Sequence, residues 1–138
     1  MNSSAKTQNI LGLDPGRDKC GVAVMNRQQL IYHRVIDSSK AIATIRQLCQ
    51  KYSIRSIVMG DGTTSQAWRE QIESSLSTDI EIAVVDEKNS TLEARDRYWT
   101  MYPPQGLQRL IPLGLRVPPR PVDDIVAILL IERYFASN

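Results

Sequence analysis

Histidine and phenylalanine each occur once in these 138 residues, and cysteine twice, at Cys20 and Cys49. With no C-x-x-C pair and no histidine cluster beside them, the two cysteines read as buried, reduced thiols, which excludes a disulfide framework. The lone His33 alternates with apolar residues on a strand and reads as a surface or internally satisfied side chain without an obvious partner. No apolar run approaches the length of a membrane span. Met1 to Gln8 is polar and lacks the apolar stretch of a signal peptide, so a short disordered tail and a cytoplasmic location are expected. Charge of one sign is also missing: the net charge of +2 permits a polyanionic partner without requiring one. The chain is long enough for one domain, residues 9–138, with a real core and no need of staples.

What is present is alternation. Asn9 to Leu13, Cys20 to Met25 and Leu30 to Ile36 read as three strands joined by turns at Gly16-Arg17-Asp18 and Asn26-Arg27-Gln28. Connections this short favour antiparallel hairpins. Ser38 or Ser39 caps a helix with Ile42, Ile45, Leu48 and Cys49 on one face. Ser56 to Met59 is a fourth strand, Ser65 to Leu76 a helix, and Glu81 to Val85 a fifth strand. Ser90 or Thr91 caps a helix from Leu92 to about Met101, with Glu93 in its first turn, where the helix dipole favours a negative charge. The segment from Pro103 to Pro121 holds six of the seven prolines and no clear period, so it is expected to be an ordered loop or flap. Pro121 then suits the first turn of a last helix through Phe135. A hairpin meander followed by alternating helices and strands predicts an α/β domain with a five-stranded mixed sheet.

Three acidic points fall at the ends of these elements. Asp14 ends the first strand in Asp14-Pro15-Gly16, Asp86-Glu87 ends the fifth, and Asp123-Asp124 opens the last helix. Carboxylates gathered at one sheet edge repel each other unless a hard cation neutralises them, which points to Mg²⁺ or Mn²⁺. Each residue also has an ordinary reading: Asp before Gly is a common turn residue, and first-turn acids suit a helix dipole.

The layout resembles the ribonuclease H-like fold, and the motifs resemble the YqgF (RuvX) family, relatives of the RuvC Holliday-junction resolvases. Three pieces carry the resemblance: Leu11-Gly12-Leu13-Asp14-Pro15-Gly16 with Gly21-Val22-Ala23-Val24, Asp86-Glu87-Lys88-Asn89-Ser90-Thr91, and Val122-Asp123-Asp124-Ile125. It implies that Asp14, Glu87 and Asp123 are catalytic metal ligands, with Asp124 as an alternative to Asp123 and Asp61 as a fourth carboxylate. The implied activity is divalent-metal-dependent endonuclease hydrolysis of phosphodiesters in structured RNA or branched DNA, either precursor 16S ribosomal RNA processing or Holliday-junction resolution. The enzyme would work as a monomer or homodimer.

The chain departs from the family pattern in places. Lys19 and Lys88 stand where arginines are usual, which loses the bidentate phosphate fork. Gly60-Asp61-Gly62-Thr63 replaces a common Gly-Leu-Pro turn and is similar to the turn of a YqgF-like domain embedded in a transcription accessory protein. Lys19, Lys88, Arg116 and Arg120 are the candidate nucleic-acid contacts; Arg116 and Arg120 flank prolines of the loop leading to Asp123. These departures motivate an alternative, a catalytically inactive ribonuclease H-fold module that binds nucleic acid or a protein partner. A third reading, one half of an actin-like sugar-kinase ATPase, needs a second domain or a dimer to close its nucleotide site.

Overall fold

A computed structural model describes residues 8–137; residues 1–7, most of the expected tail, lie outside the described residues. The elements are β1 (Ile10–Asp14), β2 (Lys19–Met25), β3 (Leu30–Asp37), α1 (Ala41–Lys51), β4 (Ser56–Gly60), α2 (Ser65–Ser75), β5 (Glu81–Val85), α3 (Ser90–Met101) and α4 (Asp123–Ser137). The sheet runs β3-β2-β1-β4-β5. β2 pairs antiparallel with both β1 and β3, while β4 lies parallel to β1 and β5 parallel to β4. The mixed sheet expected from the connection lengths is thus the observed one, and its architecture is ribonuclease H-like.

Alternation along the strands sends side chains to two cores, one on each face. Ile10, Ala23 and Val58 face α3 and α4, joining Ala94, Tyr98, Trp99, Ile125 and Leu130. Leu11, Leu13, Val22, Ile57 and Met59 face the other way, onto Ile45, Leu48 and Ile72 of α1 and α2. Cys20 and Cys49 are buried free thiols in this second core.

α4 is the helix that decides where the site lies. Asp124 through Ile131 are all buried, so it runs across the sheet as a core element instead of showing a polar face to water. Its N-terminus lies on β2 at Gly21: a Cβ there would collide with the Asp123 carbonyl. Gly21 is the register partner of Asp14. The first and last acidic points of the sequence therefore meet at one corner of the sheet.

α3 begins at Ser90, two residues before the expected Leu92. Asn89 takes a left-handed conformation (φ 61°) and lets the chain turn directly from the Glu87 loop into the helix. The segment 103–122 carries two short 3-10 turns, 106–110 and 113–115, and is otherwise irregular.

Candidate functional site

Asp14, Glu87 and Asp123 come from a strand end, a loop and a helix start, and they share the edge where the parallel strands end. Asp14 is only partly exposed. Burial, then the charges of Asp123 and Glu87, push its carboxyl up from 3.8 to about 7. Burial and the neighbouring Asp124 charge also push the Asp123 carboxyl up. Among the described residues, no lysine, arginine or histidine pairs with any of the three. Near neutral pH a proton on Asp14 is what relieves the mutual repulsion.

Backbone contacts fix the Glu87 segment. The Glu87 N–H donates to Asp61 Oδ1 (3.2 Å), and the Ser90 N–H donates to the Glu87 carbonyl (3.0 Å). Arg133, near the far end of α4, donates to the carbonyls on either side, Asp86 (2.6 Å) and Lys88 (2.9 Å). It also pairs with Glu93 of α3. The Glu87 side chain lies over the Gly60–Gly62 turn, where a Cβ at Gly62 would stand 2.8 Å from Oε1. Two glycines thus clear the space its carboxylate occupies.

Asp124 has a different task. It is 2% exposed and both oxygens are engaged: Oδ2 by His33 Nδ1 (2.6 Å) and Oδ1 by Arg120 Nη1 (2.9 Å). Burial works against its charge, but the hydrogen bonds and charges of Arg120 and His33 outweigh that and hold its carboxyl below the usual range. Adjacent helix residues point about a quarter-turn apart, so Asp123 faces Asp14 while Asp124 faces β3.

Three oxygen ligands without a compensating charge, on an edge cleared by glycines, suit a hard divalent cation. The Asp123 and Glu87 carboxylates both act on Asp14 through their charge. As the side chains stand, no group of three His, Cys, Asp or Glu among the described residues is tight enough to hold one ion.

The sequence matches the family RuvX, Holliday junction resolvase, over residues 8–137. The chain belongs to that family. This RuvX chain resembles RuvC of Thermus thermophilus at 12% identity and a TM-score of 0.57, covering 94% of this chain and 96% of the other. It also resembles T. thermophilus RuvC in complex with a Holliday junction substrate, at 14% identity and a TM-score of 0.54, with 94% and 95% covered. No match to a curated protein is found. The solved structures share the fold, and family and fold together support a nuclease of the resolvase kind. The family matched over residues 8–137 is a resolvase family, which favours the nuclease reading over half of an actin-like kinase.

The expected nucleic-acid contacts of this RuvX chain are divided in their placement. Lys88 is exposed beside Glu87. Lys19 is exposed but ion-paired with Asp37. Arg116 turns inward, donating to the Ile111 carbonyl (2.8 Å) and lying 6.0 Å from the Trp99 ring centre. Arg120 is held by Asp124 and the Pro121 carbonyl. Asp61 sits beside Glu87 as its backbone acceptor. Trp99 is buried, so its ring has no free face for a base.

Sequence reasoning assigns Arg133 no role, and it reads His33 as a surface or satisfied side chain without revealing its partner. Arg133 contacts residues 45 and 47 positions away, and His33 meets Asp124 across 91. Only the oddity of a histidine in an otherwise apolar strand pattern signalled either.

Proposed function

We propose that the protein is a divalent-metal-dependent endonuclease that hydrolyses phosphodiesters in structured nucleic acid, with Asp14, Glu87 and Asp123 as its metal ligands. The observation that carries the reading is Asp14: a strand-end carboxyl pushed to about 7 beside two more acids is a site built for positive charge. Mg²⁺ or Mn²⁺ bound there would supply Lewis-acid activation of water and stabilisation of the leaving oxygen.

The chain's own residues hold the parts in place. Asp14 is fixed by the β1 ladder, Asp123 by the seat of α4 on Gly21, and Glu87 by Asp61 and Arg133. Asp124 locks the start of α4 by engaging β3 and the preceding loop, so Asp123 keeps its aim. Exposed Lys88 adds a point charge for a phosphate beside Glu87.

Branched DNA and folded RNA both present phosphates to such an edge, and the family resemblance favours precursor 16S ribosomal RNA as the cellular substrate. The test is cleavage of a labelled four-way DNA junction and a structured pre-ribosomal RNA, with Mn²⁺ or EDTA, beside Asp14→Asn. Metal-dependent cutting lost by at least about 100-fold in the variant is expected. Asp14→Asn cutting as well as the parent removes Asp14 from the mechanism. Binding without cutting by the parent makes the protein the inactive module.

A further inference from the structure

The 103–120 segment carries a cluster of exposed apolar side chains that the fold does not explain. Leu107 (81% exposed), Leu110 (79%), Leu115 (73%) and Val117 (69%) project into water, with Ile111 and Leu113 also exposed. Scattered apolar residues on a surface need no explanation, but a run of six on one loop does. Arg109, Arg116 and Arg120 interrupt it, and no acidic residue occurs between Asp96 and Asp123.

The feet of this loop meet beside the carboxylates. Arg120 at its end lies over the rings of Tyr98 (5.4 Å) and Tyr102 (5.7 Å), and Tyr102 marks its beginning. Tyr102 Oη also reaches His33 Nε2 (3.5 Å), whose other ring nitrogen bonds Asp124. Tyr102, Arg120 and His33 thus form a clamp closed on the residue next to Asp123. Arg116 braces the inside through Ile111 and Trp99, so the apolar side chains are held outward.

We propose that the 103–120 loop is a branch-sensing arm that seats its leucines against unstacked bases at a nucleic-acid discontinuity, beside the scissile edge. This rests on the nuclease reading and names the feature of the substrate that this site selects. The base faces of an intact duplex are covered by their neighbours, whereas a branch or unpaired site leaves them open to apolar side chains. Arg109 and Arg116, which pair with no carboxylate, give the arm a positive field, and exposed Arg109 is placed for a phosphate. That charge also argues against self-association through the arm. A two-fold contact would bring the unpaired Arg109 and Arg116 of each copy together with no acid of the arm between them.

The test is fluorescence anisotropy of the full chain in EDTA, with a four-way DNA junction and a linear duplex of equal length. The variant is L107S/L110S/L115S. It is expected to weaken junction binding by about tenfold or more and to leave duplex binding within about twofold. Unchanged junction binding, or equal loss on both probes, overturns the arm. So does a gel-filtration dimer of the parent that the variant abolishes while junction binding stays intact; the loop is then a contact between copies. If the triple variant fails to fold, Leu107→Ser alone carries the same comparison with the same readings. A parent that binds neither probe overturns the arm, while the nuclease stands or falls on the RNA cleavage test. A parent that prefers junctions through these leucines but never cuts overturns only the nuclease.

Discussion

At the scale of single residues, Asp14 is where function and stability conflict. Its carboxyl titrates near 3.8 when the chain is unfolded and near 7 when folded, so the folded state holds the proton more tightly. Folding stability therefore falls as pH rises between about 4 and 7, with the full cost present above 7. A shift of this size corresponds to an upper bound on the order of 4 kcal/mol. Asp14→Asn should then raise the melting temperature in EDTA by about 5 °C at pH 8 and by almost nothing at pH 4. Thermal unfolding of both proteins at the two pH values checks this; an equal effect at both would mean that charge repulsion is not what the asparagine relieves. Asp124, next to Asp123, gives the opposite case. Asp124 is charged, buried and doubly bonded, so Asp124→Asn weakens an engaged hydrogen-bonded charge and should destabilise the fold by about 2–4 kcal/mol, read from urea unfolding. Asp14 and Asp124 thus answer the same substitution with opposite sign, because one faces uncompensated charge and the other a histidine and an arginine.

At the scale of elements, the decisive event is the docking of α4 on the β1–β2 hairpin. The strands were legible because each carries a short apolar run bounded by turn residues, as in Ile10 to Leu13 before Asp14-Pro15-Gly16. The crossing of α4 over Gly21 was not, because a glycine in a strand reads as a weak strand residue until the helix above it is known. The same blindness hid the clamp: periodicity places His33 on a strand and Asp124 in a first turn, and nothing local says that they touch. The motifs did reveal which acids sit at element ends, and that sufficed to name Asp14, Glu87 and Asp123 as candidates. What separated Asp123 from Asp124 was helix phase against the sheet, a tertiary fact. Gly21→Ala tests the docking directly. The added methyl meets backbone atoms of Asp123 and Asp124, which cannot swing aside as a side chain would. The substitution should cost about 2–3 kcal/mol of stability and shift Asp123 away from Asp14. The readout is a urea midpoint lowered in the variant; an unchanged midpoint would mean that α4 does not need this close approach.

At the scale of the whole molecule, the five-stranded sheet collects one end of three elements at a single edge, and the two cores on its faces leave that edge free for ligands. The arrangement stores repulsion there, so the proposed cation binding would be thermodynamically linked to folding. Anything that binds the folded edge and not the unfolded chain stabilises by mass action. Millimolar Mn²⁺ or Mg²⁺ should therefore raise the melting temperature of the parent at pH 8 by several degrees, saturating with concentration. The same ions should do much less for Asp14→Asn, which has already lost the charge they would neutralise. A difference between the two proteins that vanishes in saturating cation is the signature of one shared site. A rise of equal size in both would instead assign the effect to diffuse binding elsewhere on the surface. The comparison needs no substrate and no turnover, so it separates an acidic edge that recruits metal from one that merely tolerates its own repulsion. The inactive-module alternative predicts a parent whose unfolding is indifferent to these ions.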